Sequence, residues 1–576
     1  MEEQITLQIE TSKSGDSTLK VYHKEQVYYL HSKYYPAREA ETWANSFYEE
    51  GKLSILIGIG LGYYAKALVE KLGQDDRILI IEPYEKIFKA AQDNSLAELN
   101  DPRVIFCLEK DKEMLGNILR SLIQQRFLQN SKVFVAPNYD KITDVAEIND
   151  QLKRSFKDYS VDINTKLLLA HDWQRNYLKN IKYAMQSCPL TAFEKKFTCP
   201  VIIVSAGPSL QEELENLKKI YHHAIILSAG SATPILLKND VRPHMIVSID
   251  GHIKMFEHLE EMDYEEIPLC YAPITQHKIL EQHTGAKIIF QASGIDIADW
   301  YNSVIGFETG IVTMAPSVAN FCLDIAFKLT SGPICFVGQD LGYVGGFSHA
   351  EGNNNRVSKE NAKLEMLLVD SNDGNPLYAG YDFVLMREWF EKYLYEDSRN
   401  NIYNASLHGA KIAGTHVIEF ERFIDEYCQE KIDIKHRFEE IIESWNETNR
   451  SKKDDFDRLM KELQDSLYKI KKTTKIASEL SEELLRKVKQ RDEKNINRLL
   501  TKMSKVDNKI MSLKNKDGLL LLIIQLMVDI LILWDEEDED EYKKRVKIAE
   551  KNWFFYSNLY NMSTTVEEIL IDEIQS

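Results

Sequence analysis

Val201-Ile-Ile-Val-Ser205-Ala-Gly207-Pro208-Ser209-Leu210 decides the fold class: four apolar residues stop at a run of small and polar ones, which opens into a helical pattern. A short, fully apolar run rich in β-branched residues is a buried strand, and the turn after it starts a helix. Such a turn can bring backbone N–H groups and the positive end of a helix dipole to one point, which suits a phosphate. It is also the ordinary βα turn of any α/β protein, so its surroundings must decide.

Five more short apolar runs follow: Ala224 to Leu227, Met245 to Ile249, Leu269 to Tyr271, Lys287 to Phe290 and Ile334 to Val337, with helical patterns between them. Strands alternating with helices predict a central, doubly wound, mostly parallel α/β domain, placed at 200–420. Several runs end in small and polar residues: Ser228-Ala-Gly230-Ser231, Ser248-Ile-Asp250-Gly251 and Gly338-Gln339-Asp340. Ligands of open α/β sheets bind outside the carboxyl ends of the strands, so these ends predict one shared cleft.

Two further stretches border it. Thr313-Met-Ala-Pro-Ser317-Val-Ala-Asn320 opens the helix before the last strand, and Asp340-Leu-Gly-Tyr343-Val-Gly-Gly-Phe-Ser-His349 is a glycine-rich loop carrying an acid, a phenol and a histidine. A histidine titrating near neutrality can give or take a proton. The plainer alternatives are that His349 packs the loop and that Asp250 caps the next turn.

Before this domain, Thr6 to Glu10 and Gln26 to Leu30 alternate as a small antiparallel element does. Leu53-Ser-Ile-Leu-Ile-Gly58-Ile-Gly60-Leu-Gly62, a helix to about Leu72, and Arg77-Ile-Leu-Ile-Ile-Glu82 make a βαβ unit. With strands near Arg103 to Cys107 and Lys132 to Ala136, residues 1–140 read as a Rossmann-like domain, and 141–199 as a helical connector. The glycines and Glu82 have the layout of a nucleotide or S-adenosylmethionine site, or of a Rossmann unit kept for architecture. After Gly414 the only glycine is Gly518, and no proline follows Pro376, so 421–576 read as an all-α helical bundle.

Composition narrows the function. A chain of 576 residues with net charge −19 has no basic excess for a nucleic-acid surface. Seven scattered cysteines without C-x-x-C spacing, and a start lacking a signal-peptide pattern, predict a reduced, cytoplasmic protein. The longest apolar run, Leu519 to Trp534, is interrupted by Gln525 and Asp529 and is shorter than the roughly twenty residues of a membrane span, which predicts a buried helix. The acidic block Asp535 to Glu541 reads as a solvated face. Neither a His-Glu-x-x-His motif nor an Asp-x-Asp pair at a strand end is present, so no metal site is expected.

Val201 to Leu210, Ile226 to Ser231, Pro243 to Asp250, Val337 to Leu341, and Asn404-Ala-Ser406-Leu-His408-Gly409-Ala together resemble the motility-associated factor (Maf) family of flagellin glycosyltransferases. The central part is more distantly similar to bacterial sialyltransferases, although Ser205 stands where those carry the first glycine of Gly-x-Gly-Pro-Ser. The resemblance implies transfer of a nonulosonic acid, a sialic-acid-like sugar, from a CMP-activated donor to Ser or Thr of flagellin, with no further cofactor. It would place Ser205, Gly207, Pro208 and Ser209 around the CMP phosphate, Ser228, Gly230, Ser231, Asp250 and Gln339 around the nucleotide, and Ser317 and Asn320 toward the donor. Asp340, Tyr343 and His349 would be catalytic, with His349 as base and Tyr343 donating to the leaving phosphate. Three other readings stay open: a pyrophosphokinase of 6-hydroxymethyl-dihydropterin, to which the central domain is also similar, a methyltransferase using Gly58 to Glu82, and a non-catalytic flagellin-binding protein.

Overall fold

The computed structural model describes residues 5–49, 51–73, 76–94, 101–108, 115–116, 118–119, 122, 131–294, 297–362, 366–397, 399–448, 453–514, 518–523 and 540–575. The chain forms two compact units, one of residues 1–168 with 527–551 and one of residues 169–526 with 552–576.

In the first unit, β1 (Thr6–Thr11), β2 (Ser17–His23) and β3 (Gln26–Tyr29) pair antiparallel. Strands β4 (Leu53–Ile57), β5 (Arg77–Glu82), β6 (Val104–Leu108) and β7 (Ser131–Val135) form a parallel sheet in the order β6-β5-β4-β7. All five residues of β4 are buried, as expected of a parallel strand covered on both faces. The expected helix after the glycine turn is shorter than its pattern, running Tyr63–Val69.

The second unit is built on β8 (Cys188–Pro189), β9 (Val201–Val204), β10 (Ile225–Ala229), β11 (Met245–Ser248), β12 (Leu269–Tyr271) and β13 (Lys287–Ile289), followed by the small pair β14 (Gln291–Ala292) and β15 (Ile311–Val312). It continues with β16 (Ile334–Val337), the hairpin β17 (Met366–Val369) and β18 (Leu377–Gly380), then β19 (Ile402–Asn404) and β20 (His416–Val417). Nine of these make one parallel sheet, in the order β20-β19-β16-β9-β10-β11-β12-β13-β8. One core packs Val201, Ile203, Leu227 and Phe336 under the Val318–Leu329 helix, and another packs Ile202, Val204, Ile226 and Val337 under Leu210, Leu214 and Leu217. Alternate residues of each strand thus feed opposite layers. The mostly parallel, doubly covered sheet stands as expected, and the three short strands β8, β19 and β20 extend it beyond the six runs.

Helices Ile434–Thr448, Lys453–Lys489, Glu493–Lys514 and Glu541–Gln575 supply the C-terminal helical region. Lys453–Lys489 and Glu493–Lys514 fold back on one another through a turn in which Arg491 takes φ 55°. Of the apolar run from Leu519, residues 519–523 are helical, with Leu519, Leu520, Leu522 and Ile523 buried; the rest of it and most of the acidic block lie outside the described residues. Among the described residues no helix is long and apolar enough to cross a membrane.

Candidate active site

From β9 the chain winds outward through β10 to β13, then returns to lay β16 on the other side of β9. The switch point therefore lies between β9 and β16, where an open α/β sheet leaves a crevice at its carboxyl edge. Register brings the strand ends level: Val204 stands opposite both Ser228 and Val337. The turns at Ser205, Ala229 and Gly338 leave the sheet side by side, as the strand-end pattern predicts.

The first turn closes on the last strand. Ser205 Oγ donates to Gln339 Oε1 (2.5 Å), and the Ser209 N–H and hydroxyl donate to the two carboxylate oxygens of Asp340 at 2.8 and 2.5 Å. Asp340 is 1% exposed, and burial lifts its pKa against the pull of those two bonds. Gly207 is required by this closure, because a Cβ there would lie 2.5 Å from Asp340 Oδ2 and from the Gly338 carbonyl.

The expectation that this turn cradles a phosphate needs correcting. The N–H groups of Ser205 and Gly207 go to the Val337 and Gly338 carbonyls, that of Ser209 to Asp340 and that of Leu210 back to Gly207, while Pro208 has none. The anion at the start of the Leu210–Lys219 helix is thus the protein's own Asp340, with Glu212 and Glu213 in the first turn beside it. Each carboxylate oxygen of Asp340 already accepts one bond from Ser209, and the pair holds the cleft's shape.

The neighbouring ends are less committed. Ser228 Oγ pairs with Thr233 Oγ1 (2.9 Å) inside the core, while Gly230 and Ser231 begin a short 3-10 turn at the rim. Asp250 is exposed, and its Oδ1 accepts the His252 N–H (2.8 Å), the turn-capping arrangement. Ser317 caps the Val318–Leu329 helix by accepting the Asn320 N–H, and buried Asn320 donates to the Met386 carbonyl, so both fix that helix.

The loop after β16 folds back across these ends. The Ala350 N–H donates to the Ala206 carbonyl (2.9 Å) and Asn353 Nδ2 to the Ser231 carbonyl (3.0 Å). His349 Nδ1 pairs with Ser348 Oγ (2.9 Å), and its ring, like that of Tyr343, lies 6.1 Å from the Phe383 ring. Burial lowers the His349 pKa, with Asp382 opposing, and burial beside Asp382 raises that of Tyr343, which keeps the phenol protonated. The loop is therefore joined to the strand ends by backbone and side-chain bonds.

Other residues join the site: Asn404, Ser406 and His408 lie in the segment that carries the resemblance, while Asp373, Asn176 and Asn180 have no sequence signal of their own. Ser406 Oγ accepts the Gln339 N–H (2.8 Å), and the Ser406 N–H donates to Asn404 Oδ1 (3.0 Å). His408 Nδ1 and Asp373 Oδ2 are 2.8 Å apart. Asn176 Nδ2 donates to the carbonyls of Gly251 and Ile274, and Asn180 Nδ2 to those of Pro273 and Thr275, stapling the loops after β11 and β12. One turn of helix separates the two asparagines, which puts both on one face.

The glycine turn of the first unit is occupied from within. The N–H groups of Ile59, Gly60 and Leu61 donate to Glu82 Oε2, Tyr139 Oη and His31 Nε2, at 2.9, 2.9 and 2.7 Å. Glu82 is fully buried and also accepts from the Tyr139 hydroxyl (2.6 Å) and the Tyr84 N–H (2.9 Å), so the acid that a ribose would need is spent. Burial pushes the Glu82 pKa up from 4.5 to about 7 against those bonds. A raised carboxyl pKa gives stability that is complete below 4.5 and lost as pH rises through 7. Urea unfolding across pH 4 to 8 should show the wild-type advantage over Glu82→Gln shrinking by about 3 kcal/mol as pH rises. A difference independent of pH would contradict it.

Comparison with known proteins fits this geometry. The family model described as "6-hydroxymethylpterin diphosphokinase MptE-like" matches residues 175–346, from the stapling helix to the glycine-rich loop. An uncharacterized protein of Treponema pallidum (strain Nichols) is 30% identical over 125 residues, which are 22% of this chain and 56% of that protein; the chain spans little more than half the length of this curated relative. Among solved structures, the MAf glycosyltransferase from Magnetospirillum magneticum AMB-1 is similar with a TM-score of 0.56 at 15% identity, covering 99% of this chain and 92% of that one. The chain shares the fold of that glycosyltransferase over 99% of its length, and the MptE-like model matches the part that runs from Asn176 through β16.

Proposed function

We propose that this protein is a glycosyltransferase that moves a nonulosonic acid from a CMP-activated donor to a Ser or Thr hydroxyl of flagellin. The observation that carries the reading is the likeness to the Maf glycosyltransferase over 99% of the chain, flanking units included. The cleft supports it. With the Gly207–Ser209 turn closed on Asp340, the donor would rest against that wall with its nucleotide toward Gly230, Ser231 and Asp250. The loop from Gly338 would cover it, and the protonated Tyr343 hydroxyl would donate to the leaving phosphate. Two imidazoles, His349 and His408, stand near this edge, and one of them would accept the hydroxyl proton.

The MptE-like match favours a second reading, a pyrophosphokinase acting on a pterin. Among the described residues no group of three His, Cys, Asp or Glu side chains is arranged to hold a metal ion. Thermal-shift measurement separates the two readings. CMP at a hundredfold excess over its Kd should stabilise the native protein by about 2.7 kcal/mol, while ATP with Mg²⁺ should not. Stabilisation by ATP with Mg²⁺ and none by CMP would transfer the assignment to the second reading.

A further inference from the structure

The hairpin β17–β18 presents its tip, residues 370–376, to the loop that follows β19. The Asn372 N–H donates to the Gly409 carbonyl (2.9 Å), Asn372 Nδ2 to the Ser406 carbonyl (2.9 Å) and the Lys411 N–H to the Asp370 carbonyl (2.8 Å). Within this seam the Asp373 carboxylate is fixed twice, by the Ser371 hydroxyl (2.6 Å) and the Asn375 N–H (2.9 Å) on Oδ1, and turns Oδ2 to His408 Nδ1. The imidazole is thereby oriented from behind. Among the described residues nothing bonds its Nε2, and the side chain is 56% exposed.

The dyad belongs to the switch point. Next to His408, Gly409 packs so closely on Asp340 that a Cβ would come 2.8 Å from the Asp340 Cα, and the Ala410 N–H donates to the Asp340 carbonyl (2.7 Å). The charged groups around the ring are Asp373 on the hairpin, Asp340 after β16 and Glu212 on the Leu210–Lys219 helix; all are carboxylates, and they raise its proton affinity. His349 differs in kind. Its Nδ1 is tied to Ser348, its ring is half-buried near Phe383, and burial opposes its protonation. A neutral imidazole that removes a proton becomes a cation, and a neighbouring carboxylate stabilises that cation where apolar burial does not.

We propose that His408, oriented by Asp373, accepts the proton of the acceptor hydroxyl. The proposal rests on the transferase reading given above. In the step, the hydroxyl oxygen bonds to the anomeric carbon, and the bond from that carbon to the phosphate oxygen breaks with its electron pair staying on the phosphate. The hydroxyl proton passes to His408 Nε2, Asp373 keeps its hydrogen bond to Nδ1 without taking the proton, and the imidazolium later releases its proton to water.

The test uses the full chain with a CMP-nonulosonic acid and flagellin. His408→Ala should lower kcat by about a hundredfold or more with KM little changed, and added imidazole should restore part of it. His436→Ala, at an exposed histidine of the Ile434–Thr448 helix, should stay within about threefold of wild type. Neutral imidazole is the active form, so kcat rises with pH through the His408 pKa; Asp373→Asn removes the raising charge and should move that limb to lower pH. Wild-type turnover in His408→Ala, or a large loss confined to His349→Ala, would overturn the assignment while leaving the transferase reading in place. A wild-type protein that transfers no sugar while CMP binds would bring down both. An NMR titration of the His408 ring tells these apart, since its fall in pKa in Asp373→Asn needs no turnover.

Discussion

Asp340→Ala should destabilise the second unit by about 3 kcal/mol, because it strips the N–H and hydroxyl of Ser209 of their buried acceptor and leaves both unsatisfied. The loss should extend to ligand binding, since the same two bonds hold the Gly207–Ser209 turn against β16. Asp340→Asn keeps one acceptor oxygen and should cost less, with Ser209 Oγ turning to accept from the new amide. Urea unfolding of the two variants, with the CMP thermal shift measured on each, distinguishes a wall of the cleft from a group acting on substrate. A stable Asp340→Ala protein with a normal CMP response would show that the turn holds without its anion.

Gly58→Ala should cost the first unit about 3 kcal/mol or more. Gly58 takes φ 95°, which an L-residue adopts only with strain, and a Cβ would fall 2.4 Å from the buried Tyr139 ring. That ring cannot retreat, because its hydroxyl accepts from the Gly60 N–H and donates to Glu82. If the glycines served a cofactor instead, the substitution would spare stability and abolish stabilisation by S-adenosylmethionine. Denaturation with and without that compound decides between the two.

The sheet was legible because burial on both faces writes parallel strands as unbroken apolar runs, which Val201 to Val204 and Ile334 to Val337 show plainly. The edge strands β8, β19 and β20 lack such a run, since Cys188–Pro189 and His416–Val417 are two residues each and Ile402–Asn404 ends on a polar residue, so they do not separate from loops. The site was legible as strand ends and illegible as bonds. Ser209 and Asp340 are 131 residues apart, and Asp373 and His408 35, so no local spacing announces either pair. For the same reason the turn at Gly207 and that at Gly58 both read as open to a phosphate. Whether their N–H groups are free depends on Asp340, Tyr139 and His31, distant residues that a glycine pattern does not reveal.

The stapling pair Asn176 and Asn180 bears on where this domain begins. Apolar patterning suggests a start near Pro200, where the first long strand of the sheet opens. A fragment cut there would lose β8 and leave four loop carbonyls, those of Gly251, Pro273, Ile274 and Thr275, without the amide donors that fix them. The last turns of the Val145–Lys179 helix are thus part of the cleft's floor plan, and the smallest piece able to keep the rim in place starts upstream of Asn176.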